Sequence, residues 1–69
     1  MTVKEFISKT PDSYMDLAIN VYEENELVRR IICKKHEWHN TYIPRVILNK
    51  EIETIVPYYS RISLVVETN

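Results

Sequence analysis

The sequence predicts a small α+β domain: an antiparallel sheet of about four strands, with one N-terminal helix and a short helical turn packed on one face. Three observations lead there. Apolar and polar residues alternate with period two in several short runs, a capping box opens the chain, and breaker clusters separate the runs at hairpin spacing. With 69 residues there is room for one domain, 1–69, and a thin core, because a chain this short buries only about 60% of its unfolded surface.

Thr2 and Glu5 stand at N-cap and third helical position, where each side chain satisfies an orphan amide of the other. Val3, Phe6 and Ile7 then fall on one helical face, at spacings of three and four. Thr10-Pro11-Asp12-Ser13 ends this helix. From 14 to 22, Met15, Leu17, Ile19 and Val21 alternate with Asp16, Ala18, Asn20 and Tyr22, the pattern of a half-buried strand. Glu23-Glu24-Asn25-Glu26 reads as a turn, with Asn25 the residue best suited to a positive φ.

Residues 27–38 fit two templates. As a strand they return from the hairpin, supported by β-branched Val28, Ile31 and Ile32. As a helix, Leu27, Val28, Ile31, Ile32 and Lys35 make a stripe, with Glu26 four residues before Arg30. The strand is preferred, because a short turn after a clean strand makes a hairpin. A loop follows at 39–41, and Pro44 starts a helical turn through Leu48 that Asn49-Lys50 closes. Strands are expected at 51–56 and 62–66, separated by a turn at Pro57-Tyr58-Tyr59-Ser60. Every pairing in this layout can be a local hairpin.

This layout resembles that of the small accessory proteins of phages and prophages of Gram-positive bacteria. The likeness rests on the opening Thr2-Val3-Lys4-Glu5, the 16–22 strand with its turn, Ile43-Pro44, Ile47-Leu48, Glu51-Ile52 with Ile55, and the closing strand 62–66. The resemblance implies a protein that inhibits a host defence system or host enzyme by binding it. It transfers no site residues.

Composition narrows the function classes. There are no glycines, which removes phosphate-cradling loops and dinucleotide fingerprints. A single cysteine excludes an intrachain disulfide framework and suits a reducing compartment. Lys4 and Glu5 stand near the start with no apolar run behind them, and no window has the roughly 18 apolar residues of a membrane span. A cytoplasmic protein in the host cell is expected.

Cys33, His36 and His39 have a C-x₂-H-x₂-H spacing that invites zinc. On a strand, however, Cys33 and His36 point to opposite faces, and a fourth ligand is missing. No metal and no cofactor are assigned; Cys33 is expected to pack as a small apolar residue. Arg29, Arg30, Lys34 and Lys35 surround the thiol and would favour a thiolate. A Cys-His-Asn order is nevertheless lacking, so no catalytic residue is assigned. The carboxylates of Glu23-Glu24, Glu51 and Glu53 read as solvated charge, and the chain is expected not to be an enzyme.

Charge is polarised. Residues 1–28 hold two lysines against six acids, net −4, whereas 29–45 hold five bases against one acid, net +4. The basic block is interleaved with rings, and its candidate partner-binding residues are Arg29, Arg30, Lys34, Lys35, His36, Trp38, Tyr42 and Arg45. Arginine, tryptophan and tyrosine dominate binding hot spots. The competing reading places Trp38 in the core under the loop. The expected function is non-catalytic: a phage or prophage protein that inhibits a host protein, of anti-CRISPR type, with a defence nuclease or effector as target. The alternative is an oligomeric sponge for a signalling nucleotide, with arginines on phosphates and Trp38 or a tyrosine on the base. Either way, a core this small favours a homodimer or higher oligomer.

Overall fold

The protein is described here by a computed structural model covering residues 1–10 and 14–67. The breaker residues Pro11, Asp12 and Ser13 lie outside the described residues. In chain order the elements are α1 (Val3–Ser8), β1 (Asp16–Glu23), β2 (Glu26–Cys33), a 3₁₀ turn (Trp38–Asn40), α2 (Arg45–Leu48), β3 (Ile52–Tyr58) and β4 (Arg61–Glu67).

Helix α1 starts where the capping box places it. The Glu5 amide donates to Thr2 Oγ1 at 3.1 Å, and the Thr2 amide donates to a Glu5 carboxylate oxygen at 3.0 Å. The Thr2 amide and the Thr2 hydroxyl both donate to the Glu5 carboxylate and hold it below its ordinary value, because they favour its charged form. Val3 and Ile7 are buried, and Phe6 packs at the border of the core. The segment before α1 is also fastened to the start of β3. The Val3 amide donates to the Lys50 carbonyl at 3.0 Å, and the Ile52 amide to the Met1 carbonyl at 2.8 Å.

The four strands lie in the order β2-β1-β4-β3. Both hairpins are antiparallel, as expected, but the pair that joins them, β1 with β4, is parallel. The sheet is therefore mixed rather than wholly antiparallel. The reason is burial. Strands β1 and β4 are the most continuously apolar, with Leu17, Ile19 and Val21 opposite Ile62, Leu64 and Val66 across the sheet's centre. Strands β2 and β3 carry Glu26, Arg29 and Arg30, and Glu53 and Pro57, which suit edges, where water meets one side of the backbone. Bringing β4 beside β1 in parallel needs a long crossover. The 3₁₀ turn and α2 lie on that crossover and cover one face of the sheet.

The covered face presents Leu17, Ile19 and Val21 of β1, Ile31 and Cys33 of β2, and Leu64 and Val66 of β4. Above it sit Val3 and Ile7 of α1, Trp38, Ile43, and Ile47 of α2. The opposite face carries Ala18, Asn20, Ile32, Val56 and Val65, as the strand registers require, and among the described residues no helix crosses it.

Three strand limits differ from expectation by two residues or more. β1 begins at Asp16 rather than Tyr14, β2 ends at Cys33 rather than running to Trp38, and β3 continues through Pro57 to Tyr58. The strand reading of 27–38 thus holds only as far as Cys33. Pro57 is tolerated because β3 is an edge strand, on which alternate amides face away from the sheet and need no partner. The turn after it shrinks to Tyr59-Ser60.

Without glycine, the turns rely on other residues at positive φ: Glu24 (51°), Asn25 (67°), His36 (65°) and Tyr59 (50°). Asn25 was expected there. Glu24 joins it because two consecutive positive φ values give the two-residue turn whose twist matches a hairpin. A β-carbon in this region is strained by roughly 1–2 kcal/mol. The double substitution E24N/N25G, which supplies the residues such turns prefer, should therefore stabilise the domain by about 1 kcal/mol. Urea denaturation of the two proteins measures this as a higher midpoint with an unchanged slope.

Candidate functional site

The basic block is displayed by an edge strand. Among the described residues β2 pairs only with β1, so its outer backbone groups have no partner strand there. Arg29 lies opposite Val21 and Arg30 opposite Asn20, so the two guanidinium groups start from opposite faces of the same edge. The register slips between Val21 and Tyr22, where Val28 is the extra residue of a bulge. A bulge increases the local twist of an edge and hinders unselective strand addition. Lys34 and Lys35 continue the positive stripe beyond the strand and are exposed. The Lys35 amide donates to Asp16 Oδ1 at 2.8 Å, which fixes the chain where it leaves the sheet. His36 takes a positive φ there and meets the Tyr14 ring edge-on, with centroids 4.9 Å apart.

Arg30 has a specific partner. Its Nε donates to Asn20 Oδ1 at 2.7 Å, while Asn20 Nδ2 donates to the Leu64 carbonyl at 3.3 Å. Asn20 is only 7% exposed, although among the described residues no helix covers its face. Its neighbours Arg30 and Val65, on the flanking strands, enclose it. A buried amide needs hydrogen-bond partners, and here Asn20 both receives them and holds Arg30 against the sheet. The sequence reading passed over Asn20; its signal was an amide inside the otherwise apolar run 17–21.

Trp38 is in the core, not at the contact surface. It is 3% exposed, its Nε1 donates to the Met15 carbonyl at 2.9 Å, and its ring stacks on Phe6 with centroids 6.1 Å apart. A 69-residue chain uses its largest apolar side chain to fill the space under the crossover, which outweighs any gain from exposing it. Tyr42 is 80% exposed just after the 3₁₀ turn, and Arg45 opens α2. The eight predicted contact residues therefore divide. Arg29, Arg30, Lys34, Lys35 and His36 follow the β2 edge, Tyr42 and Arg45 belong to the crossover, and Trp38 faces inward.

Cys33 is fully buried. Burial pushes its thiol above the ordinary value, opposed in part by the Thr41 side chain, so the surrounding basic residues do not produce a thiolate. His39 is held elsewhere: Nε2 lies 3.2 Å from the Thr10 carbonyl, which can only accept, so Nε2 is the donor. Among the described residues, no group of three or more His, Cys, Asp and Glu side chains is arranged to hold a metal ion. No helix among them is long and apolar enough to cross a membrane. No protein family, curated protein or solved structure matches the chain.

The Arg30–Asn20 bond separates two neighbouring arginines by experiment. Arg30→Ala should cost about 1 kcal/mol, because it leaves Asn20 Oδ1 short of a partner. Arg29→Ala, on an exposed position, should stay within about 0.5 kcal/mol of wild type. Chemical denaturation of both variants checks the difference.

Proposed function

We propose that this chain is a non-catalytic binding protein of the phage and prophage kind that its layout resembles, and that it inhibits a host protein inside the host cytoplasm. One observation carries the reading: Arg29 and Arg30 stand on an edge strand of the sheet, and exposed Lys34 and Lys35 follow directly beyond its end. Such an edge offers backbone hydrogen bonds to an incoming strand, and its cations select one bearing carboxylates. The partner chemistry is thus an acidic extended segment or an acidic groove, of the type that a nuclease or effector presents around bound metal ions or a nucleic-acid mimic. The inward position of Cys33 and its raised thiol support binding rather than nucleophilic chemistry.

The nucleotide-sponge reading has less support. Its arginines are on the edge strand, but Trp38, the ring best suited to stack on a base, is inside the core.

Self-association belongs to the same proposal. The sheet face without helices exposes Ile32 and Val56 at 38% and 44%, and a second copy laid on it would complete a two-sided core. Sedimentation at high micromolar concentration should show a dimer; a monomer throughout would remove this part.

The inhibitory role is tested with R29E/K34E/K35E, which spares Arg30 and Trp38 and so should fold as wild type by circular dichroism. Produced in a susceptible host, the wild-type protein should raise the plating of a defence-restricted phage. The triple variant should lose at least about tenfold of that effect, since close interfacial charge pairs are worth one to several kcal/mol. Equal protection by the two proteins, or none by either, would overturn the reading.

A further inference from the structure

A cleft of about 340 Å³ opens on the helical side of the sheet, between α1, the 3₁₀ turn and the segment leading into α2. Its floor is apolar, built from Ile7, Trp38, Ile43 and Leu48. Its rim includes Lys4, His39, Thr41 and Tyr42. We propose that this cleft binds a small aromatic carboxylate, with the ring on the apolar floor and the carboxylate at the Lys4 ammonium.

Size, charge and shape each narrow the ligand. The volume equals on the order of ten waters of liquid and stands at the lower end of the range of ligand pockets, which admits one or two fused rings but not a nucleotide dimer. Among the described lining residues, Lys4 is a full positive charge and there is no carboxylate. Lys4 forms no ion pair among the described residues. Its neighbour Glu5 is occupied by the Thr2 amide and hydroxyl of the capping box and does not line the cleft. A single ammonium matches a monoanion, whereas a phosphate ester would want a second cation or an array of amides.

Flatness follows from the rings in the wall. Trp38 is held flat against Phe6, His39 is fixed by its bond to the Thr10 carbonyl, and Tyr42 stands at the mouth with 80% of its surface in water. Aromatic rings favour offset or edge-on contact with a ring of the ligand, and an exposed tyrosine at the mouth gains burial by closing on one. The site is separate from the β2 edge, and it stands whether or not the inhibitory reading does.

The test is a titration of the ¹⁵N-labelled protein with 3-phenylpropanoate, followed by NMR. Trp38, the sole tryptophan, lines the floor of the cleft and supplies a single indole N–H signal, from the group bonded to the Met15 carbonyl. Saturable shifts are expected at Trp38, Ser8 and Thr41, with half-saturation below about 1 mM, near −4 kcal/mol of binding free energy. The neutral 3-phenylpropanamide and the Lys4→Gln variant should each bind about tenfold more weakly, the effect of about 1.4 kcal/mol. R29E/K34E/K35E should bind as wild type. Lys4 is exposed, so its substitution leaves the core intact. Absence of saturable shifts, equal binding of acid and amide, undiminished binding by Lys4→Gln, or shifts confined to β2 would each overturn the proposal.

Discussion

The parallel pairing of β1 with β4 is the constraint on which the rest of this structure depends. It joins the first and last strands of the chain along seven residues each, from Asp16 opposite Arg61 to Tyr22 opposite Glu67. Its register places Leu17 with Ile62, Ile19 with Leu64 and Val21 with Val66, so that one face of both strands is apolar. A one-residue slip would send that set to the opposite face. Because the partners are far apart in sequence, the intervening chain must cross over the sheet, and that crossover carries Trp38, Ile43 and Ile47 onto the apolar face. The core exists because the crossover has nowhere else to go.

The same topology decides where charge can stand. Once the two apolar strands hold the middle, the hairpin partners become edges, and edges tolerate what a central strand does not. Pro57 in β3 and the arginines, glutamate and bulge of β2 are all consequences of having water on one side. Asn20 is the exception that supports the rule. It is a polar group in a central strand, and it is accommodated by two hydrogen bonds, one from Arg30 and one to the Leu64 carbonyl. The absence of glycine adds a second constraint, since every reversal at positive φ must be made by a residue with a β-carbon. Glu24 and Tyr59 hold strained conformations for that reason, and hairpin pairing on both sides keeps them there.

Two separate surfaces emerge from one basic-aromatic stretch of sequence. Period-two geometry sends Arg29 and Arg30 to different faces, and the exit at Cys33 turns Lys34, Lys35 and His36 along the end of the sheet. Six residues after His36, Tyr42 borders a cleft together with Lys4, 38 positions earlier in the sequence. Proximity in sequence therefore overstated the unity of the candidate site. It also concealed Asn20 and the place of Lys4 beside Tyr42, which depend on neighbours brought from elsewhere.

The local features were legible from the amino acids alone: the Thr2–Glu5 capping box, the alternation in β1 and β4, the Asn25 turn and the helical turn after Pro44. Each is governed by contacts within about four residues, where propensity and period act directly. Strand order, the parallel centre, the inward Trp38 and the continuation of β3 through Pro57 were decided only in three dimensions. Those depend on which strands lose most water when buried side by side, a comparison between segments 45 residues apart that no local pattern contains.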